Sequence, residues 1–87
     1  MEGLEALLVD IQRLLVELDD IDLPLTTLAQ MRWIDTGLES LALMELVLHL
    51  EQAHDCTIPN EALTAVVTFG DLARVVDAVL AHRGPAC

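Results

Sequence analysis

The stretch DTGLESLALMELVLHLEQ, Asp35 to Gln52, places apolar residues on two sides of one prospective helix. A helix that buries a single face reads apolar on that face and polar on the other. On a wheel at about 100° per residue, Leu43, Leu46, Val47, Leu50 and His54 share one arc, wide enough for a core face. Leu41, Met44 and Leu48 fall on another arc, away from the centre of the first, with Glu45, Glu51 and Gln52 around them. An apolar patch rimmed by acids fits a docking surface for a partner. The preceding loop could equally cover it, and periodicity does not decide between the two. A lone serine, Ser40, stands at the N-terminal end nearest the second arc. Serine there reads as an N-cap, and the helix dipole favours Glu39 beside it. It makes a poor self-activated nucleophile. The spacing is Gly-x-x-Ser, not the Gly-x-Ser-x-Gly elbow of hydrolases, and no His–Asp arrangement is evident.

Upstream, GLEALLVDIQRLLVEL repeats Leu4, Leu7, Leu8, Ile11, Leu14, Leu15 and Leu18 at helical spacing, which predicts a strong amphipathic helix. Residues 19 to 39 hold Pro24, a Thr pair and Gly37 without a sustained period, and read as a long loop. Such loops are usually functional in compact domains. Leu23, Leu25, Leu28, Met31, Trp33 and Ile34 are expected to tack it onto the helices, with a short helical turn possible near Thr27–Met31. The second helix runs from about Ser40 to His54. Pro59 suits the first turn of a short third helix reaching about Ala65. Thr68 and Asp71, three apart, signal a cap for a fourth helix from Gly70 to about His82, carrying Leu72, Val75, Val76, Val79 and Leu80 on one face. Gly84 and Pro85 end it. No stretch alternates with period two. The expected fold is all-α: a four-helix bundle of three longer helices and a short third one, with a long loop between helices 1 and 2.

The 87 residues suit one domain spanning 1–87. A 54% hydrophobic content argues for a folded chain. With Trp33 and Phe69 as the only aromatics, the core is aliphatic. Fifteen acids stand against four arginines and no lysine, a net charge of -11. That charge repels nucleic acid and anionic membranes and favours basic partners. The missing lysine excludes P-loop, Schiff-base and Ser-x-x-Lys chemistry. Cys56 and Cys87 make neither a disulfide framework nor a metal spacing. His49 and His54, five apart, are poorly placed to share a metal, and none is assigned. No apolar run approaches a membrane span, and the N-terminal stretch carries acids where a signal peptide is basic. A cytoplasmic protein is expected.

The stretch from Asp35 resembles the modification region of acyl carrier proteins and peptidyl carrier domains. Their usual core is Gly-x-Asp-Ser-Leu followed by a helix with Glu-Leu. Here it reads Gly37-Leu38-Glu39-Ser40-Leu41, then Glu45-Leu46. IPNEAL, Ile58 to Leu63, is similar to the family's Ile-Pro-(Asp/Asn)-Glu segment. TFGDL, Thr68 to Leu72, is similar to its Thr-x-Gly-Asp/Glu opening of the last helix. The resemblance covers nearly the whole chain, most strongly residues 35 to 79. It implies that Ser40 is the attachment point for 4'-phosphopantetheine, transferred from coenzyme A by a phosphopantetheinyl transferase. The arm's thiol would hold an acyl or aminoacyl thioester, with no catalytic residue in the chain itself. It also implies that Leu41, Met44, Glu45, Leu48 and Glu51, beside Glu39, form the docking surface for that transferase, for a loading enzyme and for downstream synthase enzymes with basic surfaces. A monomer is implied too.

Three positions depart from the family pattern. Glu39 replaces the usual Asp, Thr36 stands where Leu is common, and His54 where an aromatic is common. A start at Met1 and an end soon after the last helix lead to the expectation of a discrete, type II carrier; the departures, with the loop sequence MRWIDT, favour a polyketide, non-ribosomal peptide or related secondary pathway. The alternatives are a carrier of primary fatty acid synthesis and a carrier-like interaction module whose serine is never modified. Ala62, Ala65 and Val66 would permit a cavity between the second and third helices.

Overall fold

The leucine stripe of the N-terminal segment builds α1, Glu2–Asp19. The computed structural model describes residues 2–83, so Gly84, Pro85 and Cys87 lie outside the described residues. Leu7, Ile11, Leu14 and Leu15 are buried, and Leu4 and Leu8 pack at the margin. Leu18, the last of the stripe, is 38% exposed, contrary to expectation. The chain leaves α1 one residue later through Asp20 in the left-handed region, φ 58°, with the Ile21 amide donating to the Leu15 carbonyl at 3.1 Å. Asp tolerates that conformation better than most side chains.

The segment read as a long loop is half helical. α2, Leu25–Gln30, follows Pro24, and a 3-10 turn covers Trp33–Thr36. A six-residue helix has little stability of its own and is held by packing. Leu28 supplies it, being fully buried, while Leu23, Leu25, Met31 and Trp33 pack against the core from outside. Ile34 does not join them; it is 61% exposed. The Gln12 side-chain amide donates to the Leu23 carbonyl at 2.7 Å and fixes the segment to α1. The Trp33 amide donates to the Val67 carbonyl at 3.0 Å and the Phe69 amide to the Met31 carbonyl at 3.2 Å. These bonds flank an isolated antiparallel bridge between Arg32 and Thr68. No strand forms among the described residues.

α3 is Ser40–His54, α4 is Asn60–Leu63 and α5 is Phe69–Arg83. α4 is shorter than expected, and Pro59 occupies its N-cap instead of its first turn. α1 packs against α3, α5 and α2; α2 and α4 pack against α5. The core lies between them, centred on Ile11, Leu15, Leu46, Leu50, Phe69 and Leu72, all essentially inaccessible. Each such side chain contributes about 1.5–3 kcal/mol relative to exposure. The fold is thus the all-α bundle expected, three longer helices and a short α4, with α2 added in the connection.

The cap predicted for the last helix is present in both directions. The Thr68 hydroxyl accepts the Asp71 amide at 3.0 Å, and the Asp71 carboxylate accepts the amides of Thr68 and Val67 at 3.1 Å each. The Thr68 amide bond, then the Arg74 guanidinium, lower the Asp71 pKa from its usual 3.8 to about 2. A carboxylate held below its unfolded pKa stabilises the fold above that pKa and loses the contribution as pH falls through the folded one. Asp71→Ala is therefore expected to cost about 0.3–1.5 kcal/mol at pH 7. The gap to wild type should close between pH 3.8 and about 2 in urea unfolding. Parallel wild-type and variant curves across that window would contradict the cap.

Candidate functional site

Gly37 turns the chain into α3. It sits at φ 85°, closing the 3-10 turn, and nothing lies within 4 Å of where its Cβ would stand. The requirement for glycine is conformational, not steric crowding. Before it, the Thr36 hydroxyl donates to the Trp33 carbonyl at 2.6 Å, and accepts the Leu38 amide at 3.4 Å. Thr36 thus serves the turn through its hydroxyl, where an apolar residue would have served through burial. Leu38 is buried and anchors the entry.

The N-cap of α3 is Glu39, at φ -87° and ψ 162°, and it makes no side-chain capping bond. Ser40 is therefore not the N-cap expected from its residue type. It is the first helical residue, exposed, and among the described residues its hydroxyl takes part in no hydrogen bond. It is also the only serine in the chain. The site combines an unengaged hydroxyl with a helix start whose amides no side chain caps. Free amides and the helix dipole favour negative charge there, so a phosphodiester on this oxygen suits its surroundings.

The two arcs of α3 separate cleanly. Leu43, Leu46, Val47 and Leu50 are buried, whereas Leu41 is 74%, Met44 44% and Leu48 51% exposed. The preceding connection does not cover the second stripe. Glu39 and Glu45 are exposed beside it. Glu51 is half-buried, and its Oε2 accepts the Ile58 amide at 2.6 Å. α3 carries no lysine or arginine. Arg13, Arg32 and Arg74 are each paired within the chain, to Asp10, Asp35 and Asp71. The charge presented by α3 is thus purely acidic.

His54 sits at the rim of the core, with Nε2 3.0 Å from Asp10 Oδ2 on α1. It is a satisfied imidazole, though a half-buried one. No three metal-ligating side chains converge among the described residues.

A groove of about 290 Å³ opens beside Ser40, lined by Trp33, Ser40, Leu43, Met44, Asn60, Leu63 and Thr64. It lies between α3 and α4, where small side chains would permit a cavity, yet neither Ala62 nor Ala65 lines it and Val66 is in the core. Trp33 and Leu63 were not legible as site residues. Trp33 reads as a loop anchor, and the anchor is real: its indole N–H donates to the Val66 carbonyl at 3.3 Å.

Comparison with known proteins adds an independent line. The family model described as "Phosphopantetheine attachment site" matches residues 9–76. An acyl carrier protein of Prochlorococcus marinus (strain MIT 9515) is 43% identical over 44 residues, 51% of this chain and 55% of that protein. A probable acyl carrier protein of Caulobacter vibrioides is 40% identical over 43 residues, 49% of this chain and 50% of its own. The non-reducing polyketide synthase pkiA of Emericella nidulans is 48% identical over 46 residues, 53% of this chain and 2% of the synthase. The chain thus spans about half the length of the two carrier proteins and a small part of the synthase. No solved structure matches significantly.

Proposed function

The chain belongs to the family of carrier proteins with a phosphopantetheine attachment site, and on that premise we propose that Ser40 is the residue that bears the arm. The carrying observation is the state of Ser40: exposed, first in α3, its hydroxyl unengaged. A transferase would join the serine oxygen, losing its proton, to the pantetheine-side phosphate of coenzyme A, breaking the pyrophosphate bond and releasing adenosine 3',5'-bisphosphate. When bound, the group supplies a terminal thiol that holds acyl cargo as a thioester. The chain's own residues would do the rest. Ser40 would fix the origin of the arm, the uncapped start of α3 would favour its negative charge, and Leu41, Met44 and Leu48 with Glu39 and Glu45 would present the face on which enzymes dock. Tethering raises the effective concentration of cargo at a docked enzyme. Acids on the carrier and basic groups on partners speed encounter and keep release fast.

The pathway proposed is a polyketide, non-ribosomal peptide or related secondary one. Its support is the match to a polyketide synthase together with Glu39 and Thr36 in place of the commoner residues. Incubation with coenzyme A, a divalent cation and a broad-specificity phosphopantetheinyl transferase, followed by intact mass measurement, tests the function. The expected result is a gain of one phosphopantetheine. No gain, while a control carrier loads fully, would leave a carrier-like interaction module.

The docking face has its own test. Leu41→Glu and Met44→Glu should keep a helical circular dichroism spectrum and stability within about 0.5 kcal/mol, since both side chains are exposed. Each should slow loading or acyl transfer about tenfold or more, the loss typical of an interface anchor. Unfolding of either variant would mean that the second stripe is core.

A further inference from the structure

α4 contains four residues and buries none of them. A helix that short does not hold itself in place; Leu63 packs against the core from its last position, and the rest of its placement is set at its ends. On the C-terminal side, Val66 is buried and its carbonyl is bonded by the Trp33 indole. On the N-terminal side, Ile58 is buried, and its amide is held at 2.6 Å by the Glu51 carboxylate. Glu51 organises the whole connection. Its backbone carbonyl accepts the amides of Asp55 and Cys56 where α3 ends, while its side chain reaches seven residues ahead. Between these two ties, Asn60, Leu63 and Thr64 form the wall of the groove opposite Ser40, Leu43 and Met44.

We propose that Glu51 is a positioning residue: its carboxylate seats α4 as the wall of the groove beside Ser40. This differs from a role as one more docking acid on α3, and the two roles make opposite demands. Positioning needs an acceptor oxygen at the right reach. Docking needs negative charge. The groove's use rests on the carrier proposal, because whatever is joined to the Ser40 oxygen meets this groove first. The latch itself does not depend on it.

Three variants in the unmodified protein separate the roles. Glu51→Gln keeps the reach and loses the charge; Glu51→Asp keeps the charge and is one methylene shorter; Glu51→Ala loses both. Trp33 is the only tryptophan and lines the groove, so acrylamide quenching of its fluorescence reports how closed the wall is. Hydrogen exchange at the Ile58 amide reports the latch. Glu51→Gln, which keeps an acceptor oxygen at the same reach, should stay within about three-fold of wild type at Ile58 and match it in quenching. Glu51→Asp and Glu51→Ala should exchange Ile58 about tenfold or more faster, the loss expected when the hydrogen bond is broken, and raise the quenching constant about two-fold. A global loss of stability alone would not move the quenching of a folded variant. If Glu51→Ala does not fold, the Gln and Asp pair decides. Glu51→Asp behaving as wild type, or all variants leaving Trp33 and Ile58 unchanged, overturns the proposal. Because no loading is required, that outcome stands apart from failure of the carrier reading, which a missing mass gain would show.

Discussion

Ser40→Ala is expected to abolish phosphopantetheine loading and leave stability unchanged to within about 0.5 kcal/mol. The two halves come from one observation. The Ser40 hydroxyl makes no hydrogen bond among the described residues, and the capping position belongs to Glu39. A serine that caps a helix costs about 1 kcal/mol when replaced by alanine. Here that cost is absent, and alanine is the better helix former by a few tenths of a kcal/mol. Loading should fall to zero because no second serine exists. The nearby Thr36 hydroxyl is no substitute, being tied to the Trp33 carbonyl at 2.6 Å. Urea unfolding and intact mass measure the two halves separately. A stability loss of about 1 kcal/mol or more would show that the hydroxyl caps α3 after all.

Gly70→Ala should lower stability by about 1–3 kcal/mol, an overpacking cost. Two effects oppose each other. Glycine near the start of α5 carries a propensity penalty of about 1 kcal/mol relative to alanine, so propensity alone predicts stabilisation. A Cβ at Gly70, however, would stand 2.4 Å from the Ala29 carbonyl oxygen and 3.3 Å from its carbon. Both atoms are backbone of α2, which is fixed by the buried Leu28 next to it. A backbone cannot swing aside as a side-chain end can, so α2 must lift from α5. Steric cost should win, and the melting temperature should drop by about 4–8 °C for each kcal/mol in a domain this small. A rise in the urea midpoint would mean that α2 yields easily and that propensity dominates.

Much of the fold was legible because periodic burial writes itself into sequence. The stripes of α1, α3 and α5 follow 3.6-residue spacing, and the Thr68–Asp71 pair announced the start of α5. The two arcs of α3 were equally visible, but their fates were not. Only the packing of residues 19 to 39 decides whether Leu41, Met44 and Leu48 stay exposed. α2 was legible only as a possible short turn near Thr27–Met31, because the six residues Leu25–Gln30 hold less than two turns, too few for a period to show, and one buried leucine carries it. Leu18 and Ile34 escaped the core for local reasons: the chain turns away just past the first, and the second rides on a tight 3-10 turn. Ser40 missed the cap by one position, a boundary that residue preference does not resolve. The Glu51 tie joins a side chain to a backbone amide seven residues later, and no side-chain pattern encodes such a bond.

The measurement closest to the central claim is fragmentation mass spectrometry of the protein after incubation with coenzyme A and a phosphopantetheinyl transferase. One phosphopantetheine located on Ser40 at the head of α3, with no other residue modified, is the predicted result. A modification found on Thr36 or Cys56, or none while a control carrier loads completely, contradicts it.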